Sequence, residues 1–129
     1  MPHIRVEYSA TLEQDADVRA LVDQVHAAVL KTGVFELGAV RTRAVRRDVY
    51  RIADGDPGNV FVHVDASIAP GRDVETRKRV SQTILDVLAA ATRQLAVTRG
   101  VALSVEIREI DNSAAVRLNN LHERLRTHA

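Results

Sequence analysis

Two stretches of sequence decide the fold: residues 4–30 read IRVEYSATLEQDADVRALVDQVHAAVL, and residues 62–88 read VHVDASIAPGRDVETRKRVSQTILDVL. A shift of 58 residues aligns the first stretch with the second. Identical residues then coincide at Val6 and Val64, Ser9 and Ser67, Asp15 and Asp73, Arg19 and Arg77, Val22 and Val80, Gln24 and Gln82, Val29 and Val87, and Leu30 and Leu88. Because these matches fall at equivalent places in two strand-helix patterns, the sequence predicts a duplicated unit.

Each copy predicts a strand, a helix and a second strand, which together make a βαβ unit. A βαβ unit has two parallel strands and a right-handed helical crossover, so two units side by side give a four-stranded mixed sheet with both helices on one face. The predicted class is α+β, built from duplicated βαβ units of the α/β type. We expect one domain over residues 1–129, with the repeat in residues 1–53 and 60–110 and a C-terminal arm in residues 111–129. The uncovered second face of such a sheet favours association with other chains.

The first repeat opens with a strand, because apolar and polar residues alternate through residues 4–8. Thr11 followed by Gln14 is a capping-box pattern, so a helix is predicted to begin at Thr11. The apolar stripe of that helix consists of Val18, Leu21, Val22, Val25 and Val29. Residues 39–52 predict one extended strand. Its alternation slips at residues 45–47, which indicates a bulge.

The second repeat follows a dense turn signal, DGDPGN, at residues 54–59. Residues 60–68 have the pattern of a strand, and Asp73 is a suitable N-cap for the second helix. Alternating apolar residues in residues 101–107 predict the last main strand. The leucines of the arm, residues 111–129, predict a short helix that packs on the domain or an arm that packs on a neighbouring chain.

Composition excludes several classes of function. The chain of 129 residues is 46% hydrophobic and 27% charged, a balance typical of one globular domain. Its net charge of +1 provides no overall field that would attract nucleic acid or an anionic membrane. With no cysteine, the chain has neither a disulfide framework nor a thiolate metal site, in keeping with a reducing cytosol. No apolar run approaches the length of a membrane span, so we expect a cytoplasmic chain that is unprocessed apart from Met1.

The first residues, Met1-Pro2-His3-Ile4, predict an uncommon base. If an aminopeptidase removes Met1, the nitrogen of Pro2 becomes a rigid secondary amine at the start of a strand. A free α-amino group has a pKa of roughly 7.7–8.0, and apolar surroundings or nearby guanidinium groups lower it. Such a base suits a 1,3-proton shift, in which one group removes a proton from one atom and returns it to another. Taken alone, a proline at this position also has an ordinary explanation in amino-terminal processing.

Two arginines are candidates for binding an anionic substrate beside this base. Arg72 lies at the start of the second helix, where free backbone N–H groups favour an anion. Arg41 begins the second strand, which should lie beside the first strand in a parallel unit. Guanidinium groups bind carboxylates in a bidentate manner and stabilise a developing enolate. Arg43 is a second-rank candidate because it shares a strand face with Arg41, and one of these two arginines could equally pair with an acidic side chain. His3 is close to the proposed base and could tune it, but a strand histidine that faces solvent is the more ordinary interpretation.

Short motifs recur in order along most of the chain: Met1-Pro2-His3 with Val6-Glu7, Thr32-Gly33-Val34-Phe35, Val40-Arg41-Thr42-Arg43, Ala53-Asp54-Gly55, Phe61-Val62-His63, Gly71-Arg72, Leu103-Ser104-Val105-Glu106-Ile107 and Asn119-Asn120. Their order and spacing resemble the tautomerase superfamily, which includes 4-oxalocrotonate tautomerase and macrophage migration inhibitory factor. Within it, the chain is most similar to the 5-carboxymethyl-2-hydroxymuconate Δ-isomerase family.

The resemblance implies a tautomerase-like fold, a homotrimer with three sites near the subunit contacts, and an isomerase that needs no cofactor. It implies a small unsaturated 2-hydroxy or 2-oxo di- or tricarboxylate as substrate, such as 5-carboxymethyl-2-hydroxymuconate, in the bacterial breakdown of aromatic acids. Pro2 is implied as the catalytic base. Arg41 and Arg72 are implied as the groups that bind the substrate carboxylates and the 2-oxo group.

Other interpretations stay open. The chain could be a non-catalytic trimeric ligand-binding or scaffold protein of the same fold, or a hydratase or dehalogenase that uses Pro2 differently. The histidines have no ligand-like spacing, so no metal site is predicted. The arginine-rich residues 41–51 lack the aromatic residues of a nucleic-acid platform, since aromatics make up only 3% of the chain.

Overall fold

The computed structural model describes residues 1–128, and Ala129, the last residue of the predicted arm, lies outside the described residues. Within residues 1–128, four strands and four helices follow in the order β1 (His3–Ser9), α1 (Val18–Lys31), β2 (Arg41–Arg47), β3 (Val60–Ile68), α2 (Val74–Thr92), α3 (Leu95–Thr98), β4 (Val101–Glu109) and α4 (Leu121–His128). Short 3₁₀ turns cover Ala10–Gln14 and Leu37–Ala39. None of the helices in this described part is both long and apolar enough to span a bilayer.

The strands form one four-stranded sheet in the order β2-β1-β3-β4. β1 pairs with β2 in parallel, β3 pairs with β4 in parallel, and β1 pairs with β3 in the antiparallel direction. Helix α1 connects the first parallel pair and helix α2 connects the second, so each pair belongs to a βαβ unit. The predicted mixed sheet of two βαβ units is confirmed.

The hydrophobic core lies between the sheet and the two long helices. One face of the central strands is buried and consists of Ile4, Val6 and Tyr8 of β1 opposite Ala66, Val64 and Val62 of β3. The helices cover this face with two buried stripes, Leu21, Val25 and Val29 of α1 and Val80, Ile84 and Leu88 of α2. Strand residues two apart and helix residues about one turn apart share a face, so both periods direct these side chains into one layer. Both helices therefore lie on one face of the sheet.

Helix α1 begins at Val18, so the predicted start at Thr11 is wrong. Residues Ala10–Gln14 form a 3₁₀ turn instead, and Leu12 within it is fully buried. The N-cap is Asp17, whose carboxylate accepts a hydrogen bond from the backbone N–H three residues further on, at 3.1 Å. The core holds Leu12 in the 3₁₀ turn. The α-helix therefore begins only after Asp17, which caps its first turn.

Strand β2 is shorter and more regular than predicted. It ends at Arg47 rather than at Ile52, and its pairing with β1 runs one to one as far as Ser9 opposite Arg47. The bulge predicted at residues 45–47 is therefore wrong. The irregular alternation has another cause: β2 is an edge strand whose side chains are all partly or fully exposed, so burial imposes no apolar period on it.

The face of the sheet opposite the helices, here called the open face, carries charged side chains. It includes Arg5, Glu7, Val45, Arg47, His63, Asp65 and Arg108. Asp65 lies 3.5 Å from Arg5 and 3.2 Å from Arg108, and Arg47 lies 2.6 Å from Glu7. These pairs are partly exposed, so each contributes roughly 0–1 kcal/mol to stability. Helices α1 and α2 lie on the other face, so the described part of the chain leaves this face without a covering layer.

Replacing Ile84 by alanine should lower the free energy of unfolding by about 2–5 kcal/mol, because the change leaves a cavity where α2 packs on the sheet. The Ile84 side chain is 0% exposed. Urea unfolding at one fixed protein concentration, followed by circular dichroism, measures the effect. Val74→Ala on the same helix is the matched control, since Val74 is 68% exposed and its truncation should change stability by less than about 0.5 kcal/mol. Equal losses in both variants would contradict this packing.

Candidate active site

The amino terminus lies at one end of the sheet, where β1 begins beside the start of β2. The backbone N–H of Arg41 donates a hydrogen bond to the carbonyl of Pro2 at 3.1 Å, and His3 is the register partner of Arg41. Strands β1 and β2 are parallel, so both begin at the same end of the sheet. The structure therefore brings Pro2 and Arg41 together, as the sequence predicts for a βαβ unit.

A cleft of about 680 Å³ opens at this end of the sheet, and we call it the amino-terminal cleft. Its polar lining comes from the strand starts, with the Met1 amino group, His3 and Arg41, and from the segment after β4, with Asn112, Arg117, Asn119 and His122. Among the described residues that line it, Ala39, Ala69 and Leu118 are apolar and none is an aspartate or glutamate. An open, carboxylate-free cleft with two arginines favours an anionic ligand.

The outer wall of the cleft is formed by the segment between β4 and α4, which folds back over its own domain. The Asn119 side-chain N–H₂ donates to the Gly38 carbonyl at 3.1 Å, and the Asn119 side-chain oxygen accepts from the Leu121 N–H at 2.7 Å. His122 lies 3.3 Å from the Glu36 carboxylate. A Cβ at Gly38 would come within 2.7 Å of the His122 ring, so this close approach requires glycine.

Two basic groups in this region have lowered pKa values. In the described structure the Pro2 nitrogen is part of the peptide bond with Met1, so the amino group at this end belongs to Met1. Burial, then Arg41 and then Arg117 lower the pKa of that amino group below its ordinary value of 8.0. Burial and then Arg43 lower the pKa of His3 below 6.5. In each case the causes disfavour the protonated form.

Arg43 contacts His3 rather than the amino-terminal cleft. Its guanidinium donates to Nδ1 of His3 at 3.0 Å, so the neutral imidazole carries its proton on the other ring nitrogen. Arg43 is not among the described residues that line the cleft. Through this bond it can act on His3, which does line the cleft.

Arg72 lies at the margin of the cleft and not in its lining. Its guanidinium approaches the carbonyls of Ala69 and Val34 at 3.4 Å each, and it lies 4.7 Å from the centre of the Phe35 ring. Ala69 itself lines the cleft. The structure thus places Arg41 in the cleft and Arg72 one contact away from it.

Arg117 is a cleft residue that the sequence-based reasoning missed. It lies in the polar C-terminal segment, where no periodic pattern marks it, and only the neighbouring Asn119-Asn120 entered the motif series. Its one available signal was its position as a cation between Val116 and Leu118. Within residues 1–128, no three histidine, aspartate or glutamate side chains come together in a way that could hold a metal ion.

Known proteins that are similar to this chain in both sequence and fold include 5-carboxymethyl-2-hydroxymuconate isomerases. A sequence profile of the 5-carboxymethyl-2-hydroxymuconate isomerase family matches residues 2–125. The chain is 31% identical over 122 residues to a 5-carboxymethyl-2-hydroxymuconate Delta-isomerase of Escherichia coli, covering 95% of this chain and 97% of the relative. Its fold is similar to that of a 5-carboxymethyl-2-hydroxymuconate isomerase from Deinococcus radiodurans R1, with a TM-score of 0.88, 30% identity and coverage of 96% and 93% of the two chains. A fused 4-OT protein described as a wild-type symmetric trimer shares the fold, with a TM-score of 0.64, 19% identity and coverage of 91% and 94%.

Replacing Arg43 by glutamine should raise the pKa of His3 toward 6.5 without reaching it, because burial, the larger cause, remains. A proton titration of the His3 ring by nuclear magnetic resonance measures this. The lowered pKa also means that the stability contributed by neutral His3 is complete above pH 6.5 and is lost as the pH falls below it. Arg93→Gln, on a residue that is not among the causes acting on His3, is the control. An unchanged or further lowered pKa in Arg43→Gln would contradict the contact.

Proposed function

The chain belongs to the 5-carboxymethyl-2-hydroxymuconate isomerase family, and from this premise we propose that Pro2 is its catalytic base once Met1 has been removed. The enzyme is an isomerase of the tautomerase superfamily. Its reaction is a 1,3-proton shift on a small unsaturated 2-hydroxy or 2-oxo carboxylate, with 5-carboxymethyl-2-hydroxymuconate as the substrate. The observation that carries the proposal is the amino terminus in a cleft with two arginines and, among the described lining residues, no carboxylate.

Removal of Met1 converts the amide nitrogen of Pro2 into a secondary amine. Burial and two guanidinium groups already lower the pKa of the Met1 amino group. The Pro2 nitrogen lies one residue further along the same strand start, where the Pro2 carbonyl is bonded to the Arg41 N–H. We expect the same causes to lower the pKa of the Pro2 amine, so that it is unprotonated near neutral pH and can act as a base.

The proposed base acts twice in each turnover. The Pro2 amine removes a proton from the substrate, either from the 2-hydroxy group or from an allylic carbon, and the electron pair of the broken bond spreads through the conjugated system. The protonated amine then gives the proton to a carbon two bonds further along, which restores the amine. The step is balanced without a redox partner, since one proton moves and one double bond shifts. A base with its pKa near the working pH serves both halves.

Arg41 and Arg72 are proposed to bind the substrate. One Arg41 nitrogen donates to the carbonyl of Ala39 at 2.9 Å, which fixes the side chain and leaves its other donors for a carboxylate or the developing enolate oxygen. The Arg72 hydrogen bonds are long, at 3.4 Å, and so they are weak. Weak bonds allow the Arg72 guanidinium to turn toward an anion at the cleft margin.

The enzyme is also proposed to be a homotrimer, and we keep the cytoplasmic location as a prediction. Support for association comes from the uncovered open face and from the side chains of Val116 and Leu118, which are 96% and 101% exposed. Support for three chains comes from the fused 4-OT protein of the same fold, which is described as a symmetric trimer. Leu118 lines the amino-terminal cleft, so a neighbour that covers it would place the site near a subunit contact. Exposed apolar residues grouped in this way are typical of protein contacts.

Replacing Pro2 by alanine should lower kcat by about a hundredfold, because the flexible primary amine replaces a rigid base whose pKa suits both proton transfers. At least one of Arg41→Ala and Arg72→Ala should mainly raise KM, by about tenfold, because a carboxylate contact is lost. Ketonisation of the dienol substrate, followed by its ultraviolet absorbance, measures both constants. Arg19→Ala is the matched control, since that side chain is 86% exposed on α1 and pairs with Asp23.

An intact mass of the protein from its native host belongs to the same experiment. Loss of one methionine is expected, because the base exists only after that cleavage. Full retention of Met1, or wild-type kinetics in Pro2→Ala, Arg41→Ala and Arg72→Ala together, would contradict the proposal and would leave the non-catalytic trimeric ligand-binding or scaffold protein. Conversion of the substrate to a hydrated or dehalogenated product would instead favour the hydratase or dehalogenase alternative.

Light scattering of the purified protein should give three times the mass of one chain. Val45→Arg, which adds a charge on the β2 side of the open face, should produce monomers, because an unpaired charge buried in a contact is costly. Val97→Arg on α3 is the control, since Val97 is 75% exposed in the helix layer, and it should leave three chains together. A monomeric wild-type protein at micromolar concentration would contradict the proposed trimer.

A further inference from the structure

Arg117 is a cation of the C-terminal segment that lines the amino-terminal cleft together with Arg41. Its guanidinium donates to the side-chain oxygen of Asn112 at 3.0 Å, which is a neutral acceptor. Among the described residues, it makes no ion pair with a carboxylate. No carboxylate of the described residues therefore balances Arg117 beside the cleft.

The arginines of the open face differ from Arg117 in this respect. Arg5 and Arg108 share Asp65, and Arg47 pairs with Glu7, so their charges are balanced within the protein. An arginine that is unbalanced and lines a cleft is suited to a ligand carboxylate, which its planar fork can bind in a bidentate manner.

The position of Arg117 is held by its neighbours in the chain. Two residues further on, Asn119 bonds to the Gly38 carbonyl at 3.1 Å, and His122 lies against Glu36. The Asn112 contact restrains the guanidinium from the other side. Arg117 itself is exposed, and these contacts place its guanidinium beside the cleft when the wall is closed.

The proposed substrate has three carboxylates, whereas the sequence predicts only two arginines, Arg41 and Arg72, that bind it. A muconate carries a carboxylate at each end, and the 5-carboxymethyl branch carries a third. We propose that Arg117 binds the carboxylate of the 5-carboxymethyl branch and so selects a tricarboxylate over the corresponding dicarboxylate. This assignment rests on the proposed function, and it adds a specificity-determining residue to Pro2, Arg41 and Arg72.

The assignment follows the geometry of the cleft. Arg41 lies at the strand start beside Pro2, where the reacting end of the substrate must be. Arg72 lies at the margin behind the carbonyl of Ala69. Arg117 stands on the wall contributed by the C-terminal segment, which leaves it for the group that branches away from the conjugated chain.

The test compares 5-carboxymethyl-2-hydroxymuconate with 2-hydroxymuconate, the same dienol without the branch. Arg117→Gln should raise KM for the tricarboxylate by about tenfold and leave KM for the dicarboxylate unchanged. Arg117 is also one of the groups that lower the pKa of the terminal amine, so any change in kcat should be the same for the two substrates. Arg117→Lys should restore part of the preference, because it keeps the charge and loses the fork. Arg124→Gln on α4 is the matched control, since Arg124 is exposed and is not among the described residues that line the cleft.

Equal changes in KM for the two substrates, or no change for either, would overturn the role of Arg117. The role is also decided without turnover, by calorimetric binding of saturated hexanedioate with and without a carboxymethyl branch. Wild-type protein should prefer the branched compound, and Arg117→Gln should lose that preference. A wild-type protein that turns over neither dienol would refute the proposed function, while this binding comparison would still support or overturn the assignment of Arg117.

Discussion

The parallel pairing of β1 with β2 is the constraint on which the rest of the structure depends. The pairing begins with the hydrogen bond from the Arg41 N–H to the Pro2 carbonyl, one residue ahead of β1. It runs unbroken from there to Ser9 opposite Arg47. Parallel strands require a crossover, so this pairing also fixes α1 on one face of the sheet. One hydrogen-bond ladder thus sets both the core and the place where the amino terminus meets a guanidinium group.

The two faces of the sheet contribute to the stability of the fold through different interactions. The helix-covered face buries Val6, Val64 and their neighbours completely, and that apolar burial supplies most of the stability of the chain. The open face carries exposed ion pairs such as Arg47 with Glu7, which contribute little. The stability of the chain therefore depends little on the open face. That face is available for contacts between chains.

The sequence predicts most of the fold because its decisive features are local or repeated. Alternation defines β1, β3 and β4, Asp73 caps α2 as expected, and duplication implies the parallel pairing that brings Pro2 beside Arg41. The start of α1 could not be predicted, since it depends on the burial of Leu12 against a core that the local pattern does not reveal. Arg117 could not be predicted either, because its place in the cleft depends on a long-range return of the C-terminal segment.

The C-terminal segment that forms the outer wall of the cleft is attached weakly enough to open locally. The outer wall of the cleft is attached mainly through the Asn119 contact with Gly38 and the His122 contact with Glu36, and the apolar side chains of α4, Leu121 and Leu125, are 44% and 39% exposed. Segments with so few buried contacts open by local unfolding at a small fraction of the global free energy. The wall can therefore detach and reclose many times for each unfolding of the sheet, and a ligand that bridges it to the strands tightens the least stable part of the chain.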